Sequence, residues 1–223
     1  MILQKMIWFP VFLIALTSLL QAGEPYIAKD YSYLIGKVPG FSEKLLQMHF
    51  TLYQGYVKNT NMIIEMIRNR EVKNQQDTLA LDAIKRRLGW EMDGMILHEL
   101  YFDNLGGKKA LIPNSLLHQK MIEYFGSMDQ WKKDFQNTGL ARGVGWVILY
   151  FDGKTQRLCN SWVSEHDVGH IAGGIPLLVM DVWEHAYITE YELNRQGYMD
   201  AFFSTIDWEV VQNRLLTCLK TNN

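Results

Sequence analysis

The stretch Ile175-Pro176-Leu177-Leu178-Val179-Met180-Asp181-Val182-Trp183-Glu184-His185-Ala186-Tyr187 decides the architecture. Its first six residues form a short, continuous apolar run, the pattern of a strand buried on both faces. The run stops at Asp181, and sequence of helical character follows. A carboxylate buried at the end of such a strand is costly if unpaired, and a cation is its natural partner. Four residues on, His185 offers an imidazole that can point the same way, so the pair suits a single ion.

Upstream, Gly145 to Phe151 and Gln156 to Val163 flank an Asp152-Gly153 turn, which predicts a β-hairpin and brings the strand count to three. Before the hairpin, a helix is expected from Asn114 to Tyr124. Ser127 and Gln130 then form a capping-box pattern that opens a second helix through Trp131 and Phe135. Downstream, Asp207 caps a final helix.

Further toward the N-terminus the period changes. Leu45, His49, Leu52, Tyr56, Ile63 and Ile67 recur at three-and-four spacing and predict one long helix beginning near Ser42. After the polar Asn74 to Asp77, a second stripe runs through Ile84, Leu88, Met95, His98 and Phe102, so the two helices should form an antiparallel hairpin. Each stripe carries one histidine inward. The fold class expected is α+β: an N-terminal long α-helical hairpin, residues 23–110, followed by an α/β domain with a three-stranded antiparallel sheet, residues 111–223. The boundary falls in the loop from Gly106 to Pro113.

Residues 1–22 stand apart. Lys5, an apolar stretch from Met6 to Leu20, and Gln21-Ala22 before the polar Gly23-Glu24-Pro25 have the three-part layout of a signal peptide cleaved after Ala22. Export to the periplasm or the medium is the destination implied, and an uncleaved signal anchor is the one membrane contact foreseen. The charges nearly cancel, at 22 basic against 24 acidic residues, and no like-charge run could track a nucleic-acid backbone. Disorder is excluded by the 48% hydrophobic content. Cys159 and Cys218 could pair in an oxidising compartment, or serve as two small apolar side chains. His118 and His170 read as surface histidines without a partner at ligand spacing.

The segment from Asp181 to Tyr187 resembles the most specific signature of iron/manganese superoxide dismutases. The resemblance extends over most of the chain: His49 to Tyr56, His98 with Tyr101 and Phe102, Gly143-Val144-Gly145-Trp146, Tyr191 to Tyr198 including Arg195, and Asp207-Trp208-Glu209. It implies that His49, His98, Asp181 and His185 bind one iron or manganese ion with a solvent molecule as fifth ligand. It implies the conversion of two superoxide anions and two protons to dioxygen and hydrogen peroxide. Tyr56 is expected at the mouth of the substrate funnel, relaying protons. His166, fifteen residues ahead of Asp181, stands where the family places a side chain that hydrogen-bonds the metal-bound solvent. The other family location for that group is Gly94 here, which leaves a space. A histidine in that role favours iron over manganese. Trp146 and Trp183 wall the site, Glu184 reaches across the two-fold axis of a homodimer, and Arg195 attracts the anion near the entrance.

The family's histidine after the first ligand and the second tyrosine after His185 are both absent. Leu52 and Tyr53 fill the first region and Ile188 the second position, and losing both partners together reads as a consistent repacking. Two other classes were weighed against the dismutase. A single-zinc hydrolase could use three His and one Asp, but His98-Glu99 is followed by Leu100, Tyr101 and Phe102, which breaks the HExxH pattern. A catalytically degenerate, metal-binding relative would show damaged ligands, and none of the four is damaged.

Overall fold

The fold was obtained as a computed structural model that describes residues 25–107 and 109–221. The expected signal peptide lies outside the described residues. Among the described residues no helix is long and apolar enough to cross a membrane.

Two long helices come first, α1 (Glu43–Arg68) and α2 (Gln75–Asp103). Ser42 caps α1, its hydroxyl accepting from the Leu45 N–H, and Asn74 caps α2 through Asp77. The buried face of α1 is Leu45, Leu46, His49, Phe50, Tyr53, Val57, Thr60 and Ile63. Leu52, Tyr56 and Ile67 of the expected stripe are only half-buried, because the face turned to the core runs through Phe50, Tyr53 and Val57.

Next come α3 (Leu116–Phe125) and α4 (Met128–Gly139), then β1 (Gly145–Asp152), β2 (Arg157–Ser164) and β3 (Gly174–Asp181). The first helix starts two residues later than the sequence suggested. Asn114 takes a positive φ of 62°, and Ser115 supplies the cap. Ser127 caps α4 as expected, accepting from the Gln130 N–H. The strands form one antiparallel sheet in the order β2-β1-β3. Asp152 pairs with Arg157, so four residues close the hairpin instead of a two-residue turn. The Asp152 carboxylate organises them, accepting from Lys154 N and Thr155 Oγ1. A register shift between Leu149 and Tyr150 sets Tyr150 opposite Pro176, which has no N–H to give to the ladder.

After β3 the chain makes a 3-10 turn (Glu184–Ala186) and three helices, α5 (Ile188–Tyr191), α6 (Arg195–Thr205) and α7 (Trp208–Thr221). Asp207 begins α7, accepting from Glu209 N and Val210 N. Two polar side chains dock the hairpin on the sheet. Asn104, at the end of α2, behaves as a stand-in strand residue: its amide donates to Val179 O and its carbonyl accepts from Val179 N, at 3.2 and 3.1 Å. Arg214 of α7 donates to Leu100 O and Leu177 O, joining α2 to β3. These bonds fix α2 beside β3 and hold His98 against Asp181. No disulfide joins Cys159 to Cys218.

Candidate metal centre

Four side chains from four different places meet at the junction of hairpin and sheet. His49 comes from the second turn of α1, His98 from the last third of α2, Asp181 from the end of β3 and His185 from the 3-10 turn. Their candidate ligand atoms all lie within 4.8 Å of one another. Asp181 Oδ2 is 3.2 Å from Nε2 of His49, 3.2 Å from Nε2 of His185 and 3.6 Å from Nε2 of His98. The other carboxylate oxygen, Oδ1, accepts from the backbone N–H of Trp183, so one oxygen is tied down and the other faces the three imidazoles.

The donor set fits a cation. His98 Nδ1 donates to the carbonyl of Gly94 at 2.5 Å, which leaves Nε2 as the lone-pair nitrogen. That Nε2 is buried with no hydrogen-bond partner, an orphan that a metal ion would satisfy. Burial holds the His98 imidazole well below its ordinary pKa, with His49 adding to the effect, so it is neutral and ready to ligate. Burial also lowers His49, against the opposing pull of Asp181. Asp181 is fully buried, which by itself raises a carboxyl, yet the charges and hydrogen bonds of His185 and His49 together hold it far below the ordinary range. One carboxylate oxygen and three imidazole nitrogens suit a borderline transition ion.

Around this centre the aromatic residues form a wall. Trp146 lies directly opposite Asp181 in the β1–β3 ladder and meets the His98 ring edge-on at 4.9 Å. Trp183 stacks on His166 at 4.8 Å and on His185 at 5.8 Å, with its indole N–H buried and without a partner.

His166 is fully buried, and both of its nitrogens are engaged. Its Nδ1 is 3.1 Å from Trp146 Nε1 and its Nε2 is 2.7 Å from the Tyr56 hydroxyl. An indole N–H can only donate, so Nδ1 must be the acceptor and Nε2 carries the proton of the neutral ring. Burial lowers His166 to about 4, with His185 and Arg87 opposing protonation further. The single N–H therefore points at Tyr56. His166, expected to hydrogen-bond solvent on the metal, gives its Nε2–H to the Tyr56 hydroxyl in this structure.

The space foreseen at Gly94 is filled by the same tyrosine. A Cβ at Gly94 would stand 2.8 Å from Tyr56 Cδ1, so the Tyr56 ring lies flat on bare backbone. It also stacks on His98 at 5.1 Å. Burial raises the Tyr56 phenol well above its ordinary value, and the charges of Asp181 and Glu91 add to this against Arg87.

Of the remaining expected site residues, Glu184 is exposed beside the half-buried His185. A cavity of about 550 Å³ opens there, lined by Met48, His49, Thr51, Leu52, Gly55 and His185. Arg195 donates to Tyr187 Oη twice and to the carbonyls of Gly139, Ala141 and Gly143, which commits every guanidinium N–H and ties the segment before β1 to the tyrosine that follows β3. Any attraction it exerts on an anion acts through its field alone. Tyr53, where the family pattern departs, donates to Glu99 and accepts from Lys29 N, so the repacked region is satisfied in its own way, while Ile188 is 40% exposed.

Sequence reasoning missed five contributors: Trp90, Arg87, Asn59, Glu91 and the contacts of His170. Trp90 packs edge-on against His166 at 4.9 Å and lies beneath Arg87. Arg87 and Asn59 both hold the buried carboxylate of Glu91 at the rim of the Tyr56 pocket. His170, read as a surface histidine with no acidic or thiol partner at ligand spacing, is exposed, and it hydrogen-bonds Tyr150 and the backbone of His166 and lies 3.6 Å from Asp93. The i−4 spacing of Asp93 and Gly94 from Leu97 and His98 was a visible signal for α2, but nothing local links α2 to a loop some seventy residues later.

The fold and the site define a class: a helical hairpin and an α/β domain that clasp a mononuclear centre of three imidazoles and one carboxylate. Family comparison agrees. The model of the iron/manganese superoxide dismutase α-hairpin domain matches residues 30–106, and that of the C-terminal domain of the same enzymes matches residues 113–214. The chain belongs to the iron/manganese superoxide dismutase family. It is 34% identical over 187 residues to a superoxide dismutase (Fe) of Cupriavidus metallidurans, covering 82% of this chain and 93% of that one. It is 33% identical over 172 residues to superoxide dismutase (Mn) 2 of Haloferax volcanii, covering 77% and 85%.

Proposed function

We propose that the protein dismutates superoxide, taking two superoxide anions and two protons to dioxygen and hydrogen peroxide, with His49, His98, Asp181 and His185 holding the ion. The observation that carries this reading is the convergence of three imidazole Nε2 atoms on Asp181 Oδ2, with His98 Nε2 buried and otherwise unpartnered. The chemistry a bound iron or manganese ion supplies is a one-electron couple, oxidising one superoxide and reducing the next; iron is the favoured metal.

The surrounding residues exclude water and manage protons. Trp146 and Trp183 cover the imidazoles with apolar faces. Tyr56 accepts from His166 Nε2–H, so its own hydroxyl hydrogen is free to donate into the funnel. With the phenol raised and His166 lowered to about 4, both groups are neutral near pH 7, and Tyr56 is the proton donor. The field of Arg195 draws in the anion, with Arg87 as a second cation beside the Tyr56 pocket. The exposed Glu184 and the apolar cavity beside His185 support a homodimer in which each Glu184 meets the partner's last histidine ligand. The layout of residues 1–22 supports export to the periplasm or the medium.

The test is reconstitution of the purified protein with iron and with manganese separately, followed by superoxide consumption. At least one form should be active, with about one ion per chain bound through a mononuclear site, and His98→Ala should lose both ion and activity. Full metal occupancy without superoxide consumption by either form would overturn the enzymatic reading in favour of a metal-binding relative.

A further inference from the structure

His166 is locked through its ring, but its backbone lies in the connection from β2 to β3, whose geometry is unusual. The preceding residue, Glu165, has a positive φ of 53°, a conformation that side chains other than glycine and asparagine seldom adopt. Gly169 has a φ of 101°. The turn closes through the Ser164–Val168 pair, and Glu165 N donates to Val144 O. The carbonyl of His166 itself is held by a side chain: His170 Nε2 lies 2.8 Å from it.

A carbonyl can only accept, so His170 Nε2 carries the proton. The other ring nitrogen, Nδ1, lies 2.9 Å from Tyr150 Oη. Tyr150 belongs to the central strand and is 1% exposed, so the exposed His170 is anchored to the buried middle of the sheet. On the other side, Asp93 Oδ2 is 3.6 Å from Nε2, which favours the same tautomer. Asp93 immediately precedes Gly94, against which the Tyr56 ring rests, and Gly94 holds His98 through its carbonyl. A single imidazole thus ties the sheet, the strained turn and α2 to the residue that donates to Tyr56.

We propose that His170 is a positioning residue for the dismutase site: its Tyr150–His170–His166 chain fixes the backbone of His166 and so keeps the His166 Nε2–H aimed at Tyr56. This rests on the proposed function for its catalytic consequence, but the positional claim stands on geometry alone. It predicts which replacements succeed. Glutamine at position 170 can donate from its amide to His166 O and accept from Tyr150 on its oxygen, whereas leucine can do neither.

The experiment uses protein loaded with diamagnetic gallium(III) for nuclear magnetic resonance and with iron for turnover. In the gallium form, exchange of the His166 Nε2–H with water should quicken roughly tenfold in His170→Leu, as the turn opens locally, and stay near the wild-type rate in His170→Gln. Turnover of the iron form should fall roughly three- to tenfold in His170→Leu and recover in His170→Gln. Tyr150→Phe, which removes one anchor and keeps a core ring, should give an intermediate exchange rate and decides the matter if His170→Leu does not fold. Unchanged exchange in His170→Leu or in Tyr150→Phe, or a glutamine variant as impaired as leucine, would overturn the proposal. Absence of superoxide consumption by the wild-type protein would overturn the dismutase reading instead, leaving the exchange measurements to judge the clamp.

Discussion

Gly94→Ala probes the role of Tyr56 while keeping every ligand and the backbone carbonyl of residue 94 that holds His98. The new methyl carbon would lie 2.8, 3.0 and 3.1 Å from Cδ1, Cε1 and Cγ of the Tyr56 ring. Ordinary carbon contacts begin near 3.5 Å, so the ring must withdraw by about 0.7 Å. The Tyr56–His166 bond is 2.7 Å long, and a shift of that size is enough to carry it to the edge of hydrogen-bonding range. Overpacking costs about 1–3 kcal/mol. Replacing a helical glycine by alanine returns about 1 kcal/mol, so net destabilisation should be at most ~2 kcal/mol. Loss of the hydrogen bond, worth about 1 kcal/mol, should lower superoxide turnover roughly fivefold. The decisive assay is a double-mutant cycle with Tyr56→Phe, measuring thermal unfolding and turnover on metal-loaded protein. The unfolding cost should persist in the Tyr56→Phe background because the ring remains, while the turnover effect should largely vanish. Full additivity in turnover, or wild-type turnover in Gly94→Ala, would refute the claim that the bare backbone at this position seats Tyr56.

Three other outcomes are expected. His166→Gln should shift the ratio of iron-supported to manganese-supported activity while leaving metal content nearly intact, because glutamine has a second N–H beyond the one that Tyr56 takes; an unchanged ratio would remove His166 from metal selection. The unfolded chain protonates this histidine near its ordinary 6.5, whereas the folded one resists to about 4, so its contribution is complete above about pH 6.5 and fades as the pH falls toward 4. That loss amounts to ~3 kcal/mol at most, and unfolding of wild type and His166→Gln compared from pH 4 to 8 should show it as a converging difference. Arg195→Lys should lose about 2 kcal/mol of stability with the carbonyl contacts, yet keep the salt dependence of the rate; a flattened dependence would show that the guanidinium's fixed fork, beyond its charge, is needed for attraction.

Local chemistry makes much of this protein legible in its sequence. The caps at Ser42, Ser127 and Asp207, the two amphipathic stripes and the apolar run into Asp181 each act within a few residues, so the helical hairpin and the three strands follow from period and cap chemistry, while the four-residue closure of the β-hairpin does not. Asp181 and His185 were likewise visible, since a buried carboxylate with an imidazole four residues on demands a charge partner wherever the chain goes, whereas His49 and His98 joined them as ligands only through the family resemblance.

What surrounds the ligands was decided only by docking. His166 and Tyr56 are 110 residues apart in the chain, and whether an imidazole meets solvent on a metal or a phenol depends on ångström-scale placement of one turn against one helix. The same holds for Gly94, where the missing side chain is an absence in sequence and a ring's seat in space. His170 is polar surface in sequence and in space, and only the fold shows that the sheet brings it Tyr150 and α2 brings it Asp93. Hydrogen-bond direction was also settled in three dimensions: a tautomer follows from which neighbour can only donate and which can only accept, and those neighbours are set by tertiary packing rather than by adjacent residues.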